Sequence, residues 1–309
     1  MHAELASDYF TLRGYDVAQV VLDEAVIAYQ KALDFNIHRH KGGAADESDV
    51  DQAQTQLETA KTQAADTHLK RLQLEHAIAV LTGQMPMGFH LDASPLHATP
   101  PSVDPGIPST LIERRPDIAA AERRAAAANA DIGVARAAYF PDFSLTAAAG
   151  FDSATASKLL SMPSSFWALG PSAALTLFDA GRISALSDQA HAAYDEAAAG
   201  YRQSVLTAYQ QVEDNIAALR QLEQEAQSQD KATRAAKRNL VQAHKRYSGG
   251  IVTYLEVVVA QNSALQAELN DYDIQTRRMV ASVELIKALG GGWNVPHDAR
   301  NTSEANVKP

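Results

Sequence analysis

The chain contains a long internal repeat. Shifting the sequence by 207 residues (249 minus 42) lays Gly42-Gly43 on Gly249-Gly250, Asp49-Val50 on Glu256-Val257 and Ala53-Gln54 on Ala260-Gln261. The same shift matches Leu12-Arg13 with Leu219-Arg220, Asp16 with Glu223, Leu33 with Leu240, Arg71 with Arg278 and Gly83 with Gly290. The register holds without a gap from about residue 2 to about residue 83. A period this long excludes a solenoid and leaves two copies of one unit.

That unit reads as a long helical hairpin. Before Gly249, apolar or small residues fall at Val205, Tyr209, Val212, Ile216, Leu219, Ala226, Ala236, Leu240 and Tyr247. After Gly250 they fall at Val258, Leu265, Leu269, Tyr272, Met279, Val283 and Ile286. Both sets keep the 3-and-4 spacing that holds one seam against a neighbouring helix. Between them, paired glycines end a helix in a left-handed turn and reverse the chain. A second stripe on the descending arms, Val50, Ala53, Leu57 and Ala60 in one copy and Val257, Ala260 and Ala264 in the other, gives each helix neighbours on two sides. That arrangement fits a curved wall better than an isolated pair.

The divisions predicted are a first-copy hairpin over 1–90, a Pro-rich crossover over 91–115, a second copy over 116–290 and a disordered tail over 291–309. Copy two divides into a helix at 116–140, a β-hairpin at 142–178, a long helix at 182–248 and a return helix at 252–289. At 1.5 Å per residue, the 182–248 helix spans roughly 100 Å. Copy two has a lead-in from about residue 109, whereas copy one starts near the position matching Tyr209. This predicts an N-terminally truncated first copy, its export signal lost with the missing part. The start, MHAELASDYF, lacks the basic and apolar regions of a secretory leader.

After Pro141 the period becomes alternating: Phe143, Leu145, Ala147, Ala149 and Phe151 share one face, and Ser144, Thr146, Ala148 and Gly150 the other. The segment 167–178 alternates again, with Trp167, Leu169, Ala173, Leu175 and Leu177 on the apolar side. A membrane β-barrel hairpin and a β-hairpin on a soluble domain both fit that pattern. The membrane reading is favoured because nothing else in the chain could cover the apolar face.

Composition closes off other classes. The net charge of -10 disfavours nucleic acid as a partner. Cysteine is absent, so thiolate metal sites and Cys nucleophiles do not arise. His38 and His40, two apart on a helix, point to different sides and make a poor ligand pair. The glycine pairs lack the Lys-Ser/Thr of a phosphate loop, and no Ser sits in a nucleophile elbow. The reading is therefore no enzyme, no cofactor and no metal.

Several stretches carry a resemblance: LIERRPDIAAAERRAAAANADIGVARAAYFPDFSL at 111–145, TLFDAGR at 176–182 and RYSGGIVTYLEV at 246–257, with ELASDYFTLRG and GGAADESDVDQAQTQL in copy one. They resemble the outer membrane factor family, the channel-tunnels of Gram-negative tripartite efflux and type I secretion systems, most closely the NodT-type lipoprotein branch. The fold implied is mainly α with a small β part: long antiparallel hairpins of an α-barrel protomer plus a two-stranded transmembrane β-hairpin. The assembly implied is a homotrimer in the outer membrane with a long periplasmic extension, working with a periplasmic adaptor protein and an inner-membrane pump. The family's lipidation Cys and signal peptide are absent from this chain, and it carries two of the four strands expected per protomer.

The resemblance also implies a gate at the helical tips, comprising Arg246, Tyr247, Gly249, Gly250, Thr253 and Glu256 with Gly42, Gly43 and Asp49 of copy one. Glu256 and Asp49 take the position of a pore-facing acid, and Val259 stands where some members carry a second acidic ring. From the residues alone, a solvated first helical turn is the favoured reading of Glu256, and only the resemblance reverses that; Tyr247 equally suits the coiled-coil seam. Phe143, Leu145, Phe151, Trp167, Leu169, Leu175 and Leu177 are the expected membrane-facing strand residues. The function implied is a passive exit duct of an RND-type efflux system. The alternatives are a type I secretion channel, a coiled-coil scaffold or an inactive fragment.

Overall fold

A computed structural model of the chain describes residues 1–94, 100, 115–154, 160 and 162–291. Most of the expected crossover (95–99 and 101–114) and the expected disordered tail (292–309) lie outside these residues. Helix α1 (His2–Lys41) and helix α2 (Glu47–Leu81) form the first hairpin. Helix α3 (Pro116–Ala137) is followed by strands β1 (Asp142–Phe151) and β2 (Ser165–Ala174). Helices α4 (Arg182–Ser248) and α5 (Tyr254–Ala288) complete the second copy.

The repeat is reproduced to the residue at the tips. Lys41 and Ser248 end the rising helices, and Glu47 and Tyr254 start the descending ones, each pair 207 apart (248 minus 41; 254 minus 47). In copy one the Ala44 N–H donates to Arg39 O (2.8 Å) and the Gly43 N–H to His40 O (2.9 Å). In copy two Ile251 donates to Arg246 O (2.9 Å) and Gly250 to Tyr247 O (2.9 Å). This is the Schellman closure, which requires a left-handed residue, and Gly43 and Gly250 supply it with φ of 71° each.

Two compact units result, and they cut across the copy boundary. One contains Met1–Arg114 with Ala208–Pro309; the other is Arg115–Thr207. In the first unit the two hairpins share a core of Tyr29, Leu33, Ala53, Leu57, Ala60, Ala243, Tyr247, Tyr254, Val257 and Ala260. Small residues on the descending arms let the helices approach. On α1 the approach rests on Gly14, where a Cβ would lie 2.2 Å from Thr276 Oγ1 of α5.

In the second unit α3 begins with Pro116 in its first turn. It gives way after Ala137 to successive i→i+3 turns at Ala138, Tyr139 and Phe140, short of the expected 140. Pro141 explains the early stop, because it has no N–H to donate back to Ala137 O and so cannot close an α-helical turn over 138–140. Strands β1 and β2 pair antiparallel, with Phe143 opposite Ala173, Leu145 opposite Pro171, Ala147 opposite Leu169 and Ala149 opposite Trp167. The expected apolar face is therefore one face, while Ser144 and Ser172 hydroxyls meet at 2.7 Å on the other. Two of the expected strand residues need correction: β2 ends at Ala174, so Leu175 and Leu177 lie beyond it. The next partner in register would be Pro141, which has no N–H to give the ladder.

Candidate gate at the helical tips

The tip residues come from three helix ends and two turns, so their placement follows from the glycine closures. Tyr247, on the last turn of α4, is buried, and its hydroxyl donates to Asn36 Oδ1 of α1 at 2.6 Å. The same hydroxyl lies 3.4 Å from Asp49 Oδ2 at the start of α2. Tyr254 packs on the Tyr247 ring with centroids 5.3 Å apart, and the Arg39 guanidinium sits 4.8 Å from the ring centroid. One tyrosine thus binds the second hairpin to both helices of the first.

Burial sets the electrostatics here. It pushes the Tyr254 hydroxyl up to about 12 and raises that of Tyr247, so both are neutral donors at ordinary pH. His244, one turn before Tyr247, is held below its usual range by burial. It lines a cavity of about 320 Å³ with Lys31, Phe35, Tyr247 and Tyr254.

The acids expected at equivalent positions are used differently. Glu256 forms an ion pair with Arg246 of its own hairpin, both side chains about half exposed. Asp49 instead accepts from Tyr247 of the other hairpin. Arg39, the counterpart of Arg246, stacks on Tyr247 and donates to Ala44 O (2.9 Å), closing its own tip. Thr253 precedes α5 in extended geometry, and its side chain makes no capping bond. His38 and His40 each direct Nδ1 at a backbone carbonyl, of Asp34 and Ala45. The structure therefore brings Arg246, Tyr247, Glu256 and Asp49 around the paired glycines.

Sequence reasoning missed Asn36. It is fully buried and corresponds to Ala243 in copy two. The signal was available: Tyr29, Leu33 and Asn36 keep 4-and-3 spacing along the apolar seam of α1, so an amide at that place requires a partner.

On the β-hairpin, Phe143, Leu145, Phe151, Trp167 and Leu169 are all exposed, with Trp167 at 80%. Among the described residues the sheet has two strands, so each has an unpaired edge.

Comparison with known proteins bears on the family and the fold. Outer membrane protein OprJ of Pseudomonas aeruginosa is 34% identical over 294 residues, covering 94% of this chain and 61% of that protein. The toluene efflux pump outer membrane protein TtgI of Pseudomonas putida is 34% identical over 298 residues, covering 94% and 62%. The crystal structure of the CmeC outer membrane channel of Campylobacter jejuni superposes with a TM-score of 0.88 at 25% identity, covering 96% of this chain and 63% of that one. The chain thus spans about three fifths of the length of the curated relatives it matches. The profile of the outer membrane efflux protein family matches residues 107–291, well over half of the sequence, and the chain belongs to that family.

Proposed function

We propose that this chain forms the outer membrane channel-tunnel of a tripartite, RND-type efflux system: a passive exit duct gated at its periplasmic helical tips. The observation that carries the reading is a β-hairpin with one apolar face exposed and both edges open, in the same chain as two matching helical hairpins. An apolar face of this kind is covered by lipid, and open edges are tolerated there only when further strands close them. Sister subunits, in the homotrimer expected, supply such strands. The chain's partners are a periplasmic adaptor and an inner-membrane pump, and its work is conduction rather than catalysis. The relatives named as efflux pump outer membrane proteins favour efflux over protein secretion.

In this reading the Tyr247–Asn36 bond and the Arg246–Glu256 pair hold the tips closed. Carbonate washing of membranes from the native host tests the location: the protein stays in the pellet, and its release into the wash overturns the proposal. Planar-bilayer conductance tests the gate. Replacing Tyr247 by Phe together with Glu256 by Gln raises single-channel conductance, and an unchanged conductance removes the tips from that role.

A further inference from the structure

At the far end of the first hairpin from its tip, four charged side chains are buried together. Arg13 and Asp16 come from α1, Arg71 and Glu75 from α2, and none of their side chains is more than 9% exposed. Arg13 Nη1 donates to Asp16 Oδ2 at 2.7 Å, Arg71 Nε to Asp16 Oδ1 at 2.6 Å and Arg71 Nη1 to Glu75 Oε2 at 3.2 Å. Within the hairpin these bonds leave donors and acceptors over. All of the following go to the backbone of the segment after α2. Arg13 Nη1 donates to Asp92 O (2.6 Å) and Arg71 Nη2 to Leu91 O (2.5 Å). Asp16 Oδ2 accepts from the Ser94 N–H (3.1 Å), and Glu75 Oε1 accepts from the Leu91 N–H. His90 Nδ1 also lies 3.0 Å from Glu75 Oε1.

Every member of the quartet therefore holds one backbone group of residues 91–94, a stretch without regular secondary structure. Of the quartet's buried side-chain polar atoms, only Arg13 Nε lacks a partner. Buried charges are tolerated when their remaining hydrogen-bonding positions are filled, and here the segment fills them. Copy two keeps the Glu223–Arg278 pair, but Glu223 is half exposed and Ser282 stands where copy one has Glu75.

We infer that the quartet is a receptor for extended backbone. It docks the start of the crossover onto the base of the first hairpin as a strap, and strap and hairpin base order together as one cooperative unit. An ion network serving only α1–α2 pairing would be indifferent to the strap. A receptor built to be completed by it is not.

Hydrogen–deuterium exchange on the full chain tests this in both directions. Asp16→Asn accelerates exchange of the 90–94 segment at least ~10-fold while the tip at 246–256 keeps its protection. Leu91→Pro deletes one strap N–H without touching either helix, and it accelerates exchange around residues 13–16 and 71–75. Leu91→Ala, which keeps the N–H, leaves both regions as they are. Replacing the quartet with Met at 13 and 71 and Leu at 16 and 75 keeps α1 and α2 protected and frees the strap. The inference is overturned if Leu91→Pro leaves the hairpin base unchanged, or if the apolar quartet keeps the strap protected.

Discussion

Loss of the Tyr247 hydroxyl gives a quantitative test of how the two hairpins are joined. Asn36 has no exposed surface, its Nδ2 has no partner, and its Oδ1 accepts from Tyr247. Tyr247→Phe therefore removes a net hydrogen bond of about 1 kcal/mol and strands a buried amide oxygen, a further 1–2 kcal/mol or so, for about 2–3 kcal/mol in all. Asn36→Ala removes the amide itself and leaves a small void. The hydroxyl then retains Asp49 at 3.4 Å, so this change costs about 1–2 kcal/mol. Once Asn36 is gone, deleting the hydroxyl adds little, and the double variant shows a coupling of about 1–2 kcal/mol. Exchange-derived opening free energies of the α1 and α4 tip segments measure it, since 1.4 kcal/mol is tenfold in exchange rate. If the two substitutions add within about 0.5 kcal/mol, the bond does not join the copies and the reasoning fails.

Three other outcomes are expected. Gly43→Ala and Gly250→Ala each destabilise by about 1 kcal/mol through the left-handed backbone alone, since an added Cβ there meets nothing within 4 Å. Gly14→Ala is worse because its Cβ meets Thr276 Oγ1 at 2.2 Å, and Thr276→Ala relieves part of the loss; thermal melts that rank the tip glycines above Gly14 contradict this. On raising pH, the unfolded chain ionises its tyrosines near 10 while Tyr254 resists to about 12. Its contribution is then constant below pH 10 and is lost between 10 and 12, so the helix signal falls in that window and Tyr254→Phe makes the fall shallower. Leu145→Arg places a charge on the exposed apolar face of the β-hairpin. At mid-membrane depth this costs about 2–4 kcal/mol, so less protein resists a carbonate wash, whereas Ser144→Arg on the opposite face has a smaller effect.

What the sequence disclosed was mostly what repeats. Gly42-Gly43 and Gly249-Gly250 fixed both tips, because a glycine pair inside two heptad patterns has few other uses. The alternation around Phe143 and Trp167 disclosed the two faces of the sheet. It did not disclose where β2 ends, because that depends on Pro141 in the partner strand and not on Leu175 or Leu177 themselves. Divergence between the copies was hidden as well. Arg13 and Asp16 look like an ordinary i,i+3 surface pair, and it is contacts distant in sequence, from Arg71 and from the strap, that meet them in the fold. Asn36 and Arg39 were passed over for a similar reason: their partner, Tyr247, lies on the other copy, 211 positions from Asn36.

Gly14 has a consequence for how such a protein parts. By the 207-residue shift, the α1–α5 seam of this chain has as its counterpart, in the trimer proposed above, a seam between α4 and α2 of a neighbouring subunit. In this chain the first is drawn tight by Gly14 against Thr276, while the counterpart positions are Gln221 and Leu69. Side chains as large as glutamine and leucine do not allow helices the approach that glycine does. In the ring proposed above, the joints between hairpins would then alternate tight and loose, and dilation would concentrate at the loose ones, as in a zip fastener with alternate teeth filed down.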